Sequence, residues 1–156
     1  MKFETAIFAA GCFWGVEEAF RELKGVKETE VGYTGGHTKK PNYENVCTDK
    51  TGHAEAVKVT FDPKAISYEK LLGVFFSIHN PTTPNRQGPD VGSQYRSAIF
   101  FTTKEQEKEA RKFIEKEQAK YSYKIVTEIA PATEFYRAEE YHQKYALKNG
   151  AETCHI

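Results

Sequence analysis

Five apolar residues, Ala6 to Ala10, run without a charge into Gly11, and beyond it Val16, Ala19, Phe20 and Leu23 recur at helical spacing until Gly25. A short apolar run followed by a glycine and a change of period predicts a buried strand, a tight turn and then a helix. The uncharged stretch from Ala6 to Val16 is well short of the roughly 18 residues that a membrane span needs. Glu4 sits where a signal peptide would be basic, and Glu17 and Glu18 follow at once, so the run reads as core and the chain as cytoplasmic.

Glu30 to Thr34 is a second candidate strand, and Gly35 to Gly52 is a long polar loop carrying His37, Lys39, Lys40, Pro41, Asn42 and Tyr43. From Ala54 to Phe61 the pattern alternates, which places Glu55, Val57, Val59 and Phe61 on one face of a strand. Ser67 is positioned to cap a helix running through Ile78, with Ile66 and Leu71 as a hydrophobic staple. Asn80 to Gln94, with three prolines and glycines near its middle, forms a second large loop before a strand over Tyr95 to Phe101. Thr103 and Gln106 then make a capping box for a helix to about Lys120, followed by a strand over Ile125 to Ala130. A short helix beyond Pro131 is expected to carry Tyr141 and Tyr145 one turn apart.

Strands and helices alternate irregularly between long loops, which predicts an α+β two-layer sandwich: a mixed sheet with a ferredoxin-like core and long functional loops. At 156 residues the chain is expected to form one domain over 1–156, with residues 148–156 as a mobile C-terminal tail around Gly150. Lys plus Arg and Asp plus Glu both number 22, so no bulk field attracts nucleic acid or an anionic membrane. Neither partner is expected, and the molecule is read as a monomer. Cys12, Cys47 and Cys154 are an odd number with no C-x-x-C pair, which fits neither a disulfide scaffold nor a four-cysteine zinc site. No two of the five histidines lie one helical turn apart, so no metal is expected.

Cys12 stands where the first strand gives way to a helix, so its sulfur can face the first-turn N–H groups and the positive end of the helix dipole. That placement favours a thiolate, although a free cysteine there can equally be a small buried apolar residue. Phe13 and Trp14, the latter the single tryptophan, follow directly and suggest an apolar pocket or simple core packing. Glu55 lies on the apolar face of its strand with no Lys or Arg nearby on that face, so it must be exposed at the strand end, paired, or protonated. His53-Ala54-Glu55 also matches half of a zinc-deaminase signature, but no P-C-x-x-C follows it. Tyr43 and Tyr95 each border a Gly- and Pro-rich loop, from which their phenols can donate into a cleft.

Gly11-Cys12-Phe13-Trp14-Gly15, Thr51-Gly52-His53-Ala54-Glu55, Asn85-Arg86-Gln87-Gly88 with Asp90 and Gly92, Gln94-Tyr95-Arg96-Ser97 and Tyr141-His142-Gln143 together resemble the peptide methionine sulfoxide reductase A family. The resemblance implies a protein-repair oxidoreductase of oxidative stress, reducing one epimer of methionine sulfoxide, free or in proteins. It implies Cys12 as the nucleophile, Phe13 and Trp14 as the pocket for the substrate methyl, and Glu55 as the acid that protonates the sulfoxide oxygen. Tyr43 and Tyr95 would assist by hydrogen bonding, with Asp90 near the same centre. It further implies a Cys154 that resolves the sulfenic acid on Cys12 as a redox-active disulfide, reduced by thioredoxin or, in vitro, by dithiothreitol, with no bound cofactor; Cys47 resembles a structural position. Two departures from the family pattern stand out: Asn80 replaces an expected Asp after His79, and Asp49-Lys50 replaces small residues before Thr51. A non-catalytic α+β module that holds a peptide with Phe13, Trp14 and the tyrosine loops is the alternative, separable by the reactivity of Cys12.

Overall fold

The computed structural model describes residues 2–149. β1 (Glu4–Ala10) ends at Gly11, whose φ of 98° lies in the left-handed region that glycine occupies without penalty. The turn delivers Cys12 to the position just before α1 (Phe13–Arg21). There follow β2 (Val26–Thr34), α2 (Tyr43–Val46), β3 (Ala54–Phe61) and α3 (Tyr68–Ser77). β4 (Arg86–Gln87), β5 (Asp90–Val91), a 3-10 turn over Ser93–Tyr95 and β6 (Ser97–Phe101) come next. α4 (Lys104–Glu117), β7 (Glu128–Pro131), β8 (Tyr136–Arg137), a 3-10 turn over Glu140–His142 and α5 (Tyr145–Asn149) complete the described chain.

Six strands form one mixed sheet in the order β7-β6-β1-β3-β2-β8, antiparallel throughout except for the parallel β6–β7 pair. β4 and β5 make a separate two-stranded ribbon. Alternation assigns the faces. Phe8 of β1, Val31 and Tyr33 of β2, Val57, Val59 and Phe61 of β3 and Ile99 of β6 share one cluster with Phe13, Val16 and Phe20 of α1 and Leu71, Leu72 and Phe75 of α3. Phe8 sits at its centre, stacked on Phe20 at 5.0 Å and tilted against Phe75 at 5.3 Å. The opposite face carries Ile7, Ala9, Ala54, Ala56, Ala98 and Phe100, whose mostly small side chains let the segment of Ala130, Ala132 and Phe135 lie close against the sheet. The α+β class with a mixed sheet is therefore as expected, with its helices gathered on one face.

Several boundaries differ from the sequence reading, for local reasons. β2 starts at Val26 rather than Glu30, because Lys27 and Glu28 are exposed at a register irregularity against β3 and give no alternation. The strand expected over Ile125–Ala130 is confined to Glu128–Pro131: the Ile125 amide donates to Gln118 Oε1 and the Val126 amide to the Pro81 carbonyl, which ties these residues to loops instead of the sheet. Tyr95 belongs to a 3-10 turn and not to the following strand. Tyr141 and Tyr145 do not share a helix, since Lys144 between them has a φ of 53° that breaks helical continuation. The box at Thr103 is half formed. Thr103 accepts the Gln106 amide, but the Gln106 side chain turns to the Thr102 amide and the Thr5 carbonyl. Lys148 and Asn149, expected to open the tail, close α5, and the rest of that segment lies outside the described residues. No helix among the described residues is long and apolar enough to cross a membrane.

The predicted cap of α3 is present, with Ser67 Oγ accepting the Lys70 amide at 3.1 Å while Ile66 and Leu71 are both buried. Ser67→Ala should therefore lower unfolding stability by about 1 kcal/mol, seen as an earlier urea midpoint at unchanged slope, with catalysis intact.

Candidate active site

The antiparallel register of β1 on β3 brings the end of β1 beside the start of β3, so the Gly11 turn and Glu55 meet at one edge of the helix-covered face. Cys12 is 7% exposed at the N-terminus of α1, whose first turn contains no acidic residue. The amides and dipole of that turn favour a negative sulfur. Cys12 is in a disulfide, whereas Cys47 is a free thiol. Cys154 lies outside the described residues.

Glu55 is 1% exposed and reaches across to the next residue of the helix: its Oε1 accepts the Phe13 amide at 3.1 Å. Its Oε2 is buried with no hydrogen-bond partner among the described residues. Burial pushes this carboxyl up to about 8, the Phe13 amide pulls the other way, and the charge of Asp90 adds to the rise. Of the three states open to Glu55 on sequence grounds, exposed, paired or protonated, the structure selects the protonated one at neutral pH.

Tyr43 opens α2, whose entry is fixed by reciprocal bonds between Asn42 and Asn45. Tyr95 closes the 3-10 turn on the other loop. Burial raises both phenols, Tyr43 far above the normal tyrosine range and Tyr95 to about 12; the Tyr43 phenol also bonds to the Cys47 thiol, and the charge of Glu55 acts on both rings. Both therefore hold their protons at any physiological pH. Burial likewise raises the Cys47 thiol, against the pull of its bonds to the two phenols. Asp90, half-buried on β5, acts electrostatically on Glu55 and Tyr95. The structure thus brings Cys12, Glu55, Tyr43, Tyr95 and Asp90 into one neighbourhood.

The two aromatic residues after Cys12 part company. Phe13 is buried in the core cluster, tilted against Tyr33 at 5.7 Å and His142 at 5.1 Å. Trp14 is half-buried, stacks on Tyr145 at 3.8 Å and donates from Nε1 to His142 Nδ1 at 2.9 Å. Its ring is held in place from two sides.

Three supporting residues escaped the sequence reading in whole or in part. His142 is fully buried, touches Tyr43 at a ring distance of 4.5 Å and, besides the bond from Trp14, has an Nε2 with no partner; burial lowers its pKa against the opposing pull of Glu139. The Glu139 carboxylate accepts the Tyr33 phenol at 2.9 Å and the Tyr43 amide at 3.0 Å. Burial alone would raise Glu139, but those donors and its own amide outweigh it and the net shift is downward. Buried Glu17 accepts the Thr29 hydroxyl at 2.8 Å and the Lys144 amide at 2.6 Å, pinning the turn ahead of Tyr145 to α1. Glu17 shares the helix face of Phe13 and Phe20, a spacing that marks it as anomalous for an acid. Glu139 has no such mark. Among the described residues no cluster of three His, Cys, Asp or Glu is arranged to hold a metal.

A sulfur at a helix N-terminus, a carboxylic acid that keeps its proton near neutrality and two protonated phenols are groups that can supply a nucleophile and a proton to one bound molecule. The family described as peptide methionine sulfoxide reductase matches residues 4–156, and the chain belongs to it. The peptide methionine sulfoxide reductase MsrA of Methanosarcina acetivorans is 61% identical over 149 residues, covering 94% of this chain and 79% of that protein. Mxr1 of Saccharomyces cerevisiae in its reduced form superposes with a TM-score of 0.93 at 40% identity, covering 98% of this chain and 89% of that one. Mxr1 in complex with Trx2 matches with a TM-score of 0.66 at 31% identity, over 93% and 86% of the two chains. This chain is a peptide-methionine (S)-S-oxide reductase, which displaces the peptide-binding module as an alternative.

The Glu55 shift has a consequence for stability as well as chemistry. The folded carboxyl titrates near 8 and the unfolded one near 4.5, so between these values the folded state holds the extra proton and stability falls as pH rises. Glu55→Gln cannot titrate, and its urea midpoint relative to the parent protein should be higher at pH 8 than at pH 5. The Glu55 carboxyl carbon, followed by NMR, should titrate well above 4.5; a midpoint at or below that value would show a fixed anion instead of a proton donor.

Proposed function

We propose that Cys12, as thiolate, attacks the sulfur of methionine (S)-sulfoxide while Glu55 delivers its proton to the sulfoxide oxygen. The observation that carries this reading is the Glu55 carboxyl itself, bonded through Oε1 to the amide next to Cys12 and left with an unpartnered Oε2. A sulfoxide oxygen is a poor leaving group unless protonated, and a neutral acid beside the nucleophile answers that need. The phenols of Tyr43 and Tyr95 hold the oxygen by donating to it, and burial, with the charge of Asp90 added to it, keeps Glu55 protonated between turnovers. Phe13 and Trp14 line the pocket for the substrate methyl. The oxygen passes to Cys12 as a sulfenic acid, the substrate leaves as the thioether methionine, and Glu55 regains its proton from solvent.

Recycling falls to Cys154. Its thiolate attacks the sulfenic sulfur, forming the Cys12–Cys154 disulfide and releasing water, and a thioredoxin dithiol, or dithiothreitol in vitro, reduces that bond. Cys47 is a free thiol while Cys12 is bonded, which leaves Cys47 outside that bond, and the complex of Mxr1 with Trx2 supports thioredoxin as the reductant. In this reading residues 1–156 act as one monomeric catalytic domain in the cytoplasm, repairing free or protein-bound methionine sulfoxide under oxidative stress without a bound cofactor, and residues 148–156 serve as its mobile tail. The central order β6-β1-β3-β2, with α1 joining β1 to β2 and α3 following β3, supports a ferredoxin-like core whose long loops carry the site.

Cys12→Ser should abolish methionine formation from the S epimer with dithiothreitol, because a hydroxyl is protonated where a thiol ionises. Cys154→Ser should complete one stoichiometric turnover and retain activity with dithiothreitol while losing recycling by thioredoxin. Normal recycling in that variant, or a peptide map joining Cys12 to Cys47 after one turnover, would overturn the assignment of Cys154.

A further inference from the structure

The loop that carries Tyr43 and the loop that carries Tyr95 are joined at Asp49. Its Oδ1 accepts the Ser93 amide at 2.9 Å and also the Ser93 hydroxyl. Ser93 opens the 3-10 turn that ends at Tyr95, so this carboxylate caps the turn as a side chain caps a helix. On its own side Asp49 is continuous with α2: its amide donates to the Val46 carbonyl at 3.0 Å, and the Cys47 amide donates to the Tyr43 carbonyl at 3.0 Å. One carboxylate therefore fixes the turn bearing one phenol relative to the helix bearing the other. The loops also meet at the phenols, where the Tyr43 and Tyr95 side chains bond to each other and both bond to the Cys47 thiol, and by a long 3.5 Å bond from the Arg96 guanidinium to the Gly35 carbonyl at the opposite end of the first loop, so Asp49 is the tie between the backbones that carry the two rings.

Asp49 also adopts a φ of 63°, a left-handed conformation that aspartate, with its short polar side chain, takes more readily than most residues other than glycine. An aspartate therefore suits this backbone conformation and at the same time reaches across to a neighbouring loop through both donors of Ser93.

We propose that Asp49 is a positioning residue for the reductive step, setting the separation of the Tyr43 and Tyr95 phenols over Glu55. The proposal rests on the reading of those phenols as donors to the sulfoxide oxygen, and it concerns the first chemical step only, in which those phenols act. Two donors aimed at one oxygen act together only at a fixed spacing, so a small displacement of one loop weakens the pair.

The test is single-turnover reduction of a peptide containing methionine (S)-sulfoxide, with sulfenic acid formation on Cys12 as the readout. Asp49→Ala should slow this step about tenfold while leaving the rate of thioredoxin-dependent recycling unchanged. Asp49→Asn, whose Oδ1 can still accept the Ser93 amide, should recover most of the loss, a rescue that a general loss of stability would not show. In a Tyr95→Phe background, Asp49→Ala should cost less than about twofold further, because the phenol it positions is gone. A normal single-turnover rate in Asp49→Ala, or an equal slowing in both backgrounds, overturns the tie while leaving the phenol assignment standing. If Tyr95→Phe alone reacts at the normal rate, the donor reading itself fails and the tie fails with it.

Discussion

The bond from the Phe13 amide to Glu55 Oε1 is the interaction on which the site is built. It links the first residue of α1 to the second residue of β3, which are far apart in sequence and adjacent only because β1 and β3 pair antiparallel. A buried hydrogen bond contributes about 1 kcal/mol net, but an acid left wholly unpaired in this position would cost more than that. The fold instead satisfies one oxygen and leaves the other bare. This partial satisfaction matters chemically: a carboxyl given several backbone donors would be held as an anion, whereas one donor set against nearly complete burial leaves it neutral around pH 7.

How much of this was legible in the sequence depends on whether a residue's role is local. The strand over Ala54 to Phe61 was exact because alternation continues through its whole length, and Glu55 declared itself by interrupting the apolar face. Cys12 was legible because the strand, glycine and helix around it are contiguous. β8, at two residues, is too short to carry any period, and β2 hid its first residues because they face solvent at a sheet irregularity. Glu139 was invisible for a different reason. Its partners, Tyr33 and Tyr43, come from distant parts of the chain, and nothing in its own neighbourhood demands an acid.

The segment from Ala138 to Tyr145 shows how irregular backbone can be held as firmly as a strand. Gln143 sends its side chain to the edge of β2, accepting the Val31 amide at 2.9 Å and donating to the Val31 carbonyl at 2.9 Å, as a further strand would. It also donates to the Ala138 carbonyl, closing the turn on itself. With Glu139 on Tyr43, Glu17 on the Lys144 amide and His142 on Trp14, four side chains replace the ladder that the backbone lacks. The site is thereby bordered by a segment whose period is unreadable but which is tied to β2 at Val31 through Gln143 and the Ala138 amide.

The charges that act on Glu55 explain why the donors around it are neutral. Among the described residues the influences that shift it are burial, the Phe13 amide and the negative Asp90, and no cation is among them. A lysine or arginine at hydrogen-bonding range would polarise a sulfoxide oxygen more strongly than a phenol does, and would also favour a thiolate. It would at the same time lower the carboxyl toward its usual range, because an opposite charge within a few ångströms stabilises the anion. The acid would then arrive at the reaction without its proton. Phenols avoid the conflict. Raised by burial, Tyr43 and Tyr95 can donate hydrogen bonds to a developing charge without themselves carrying one; in the proposed mechanism the thiol then takes its electrostatic help from the helix N-terminus while the proton stays on Glu55 until the oxygen needs it.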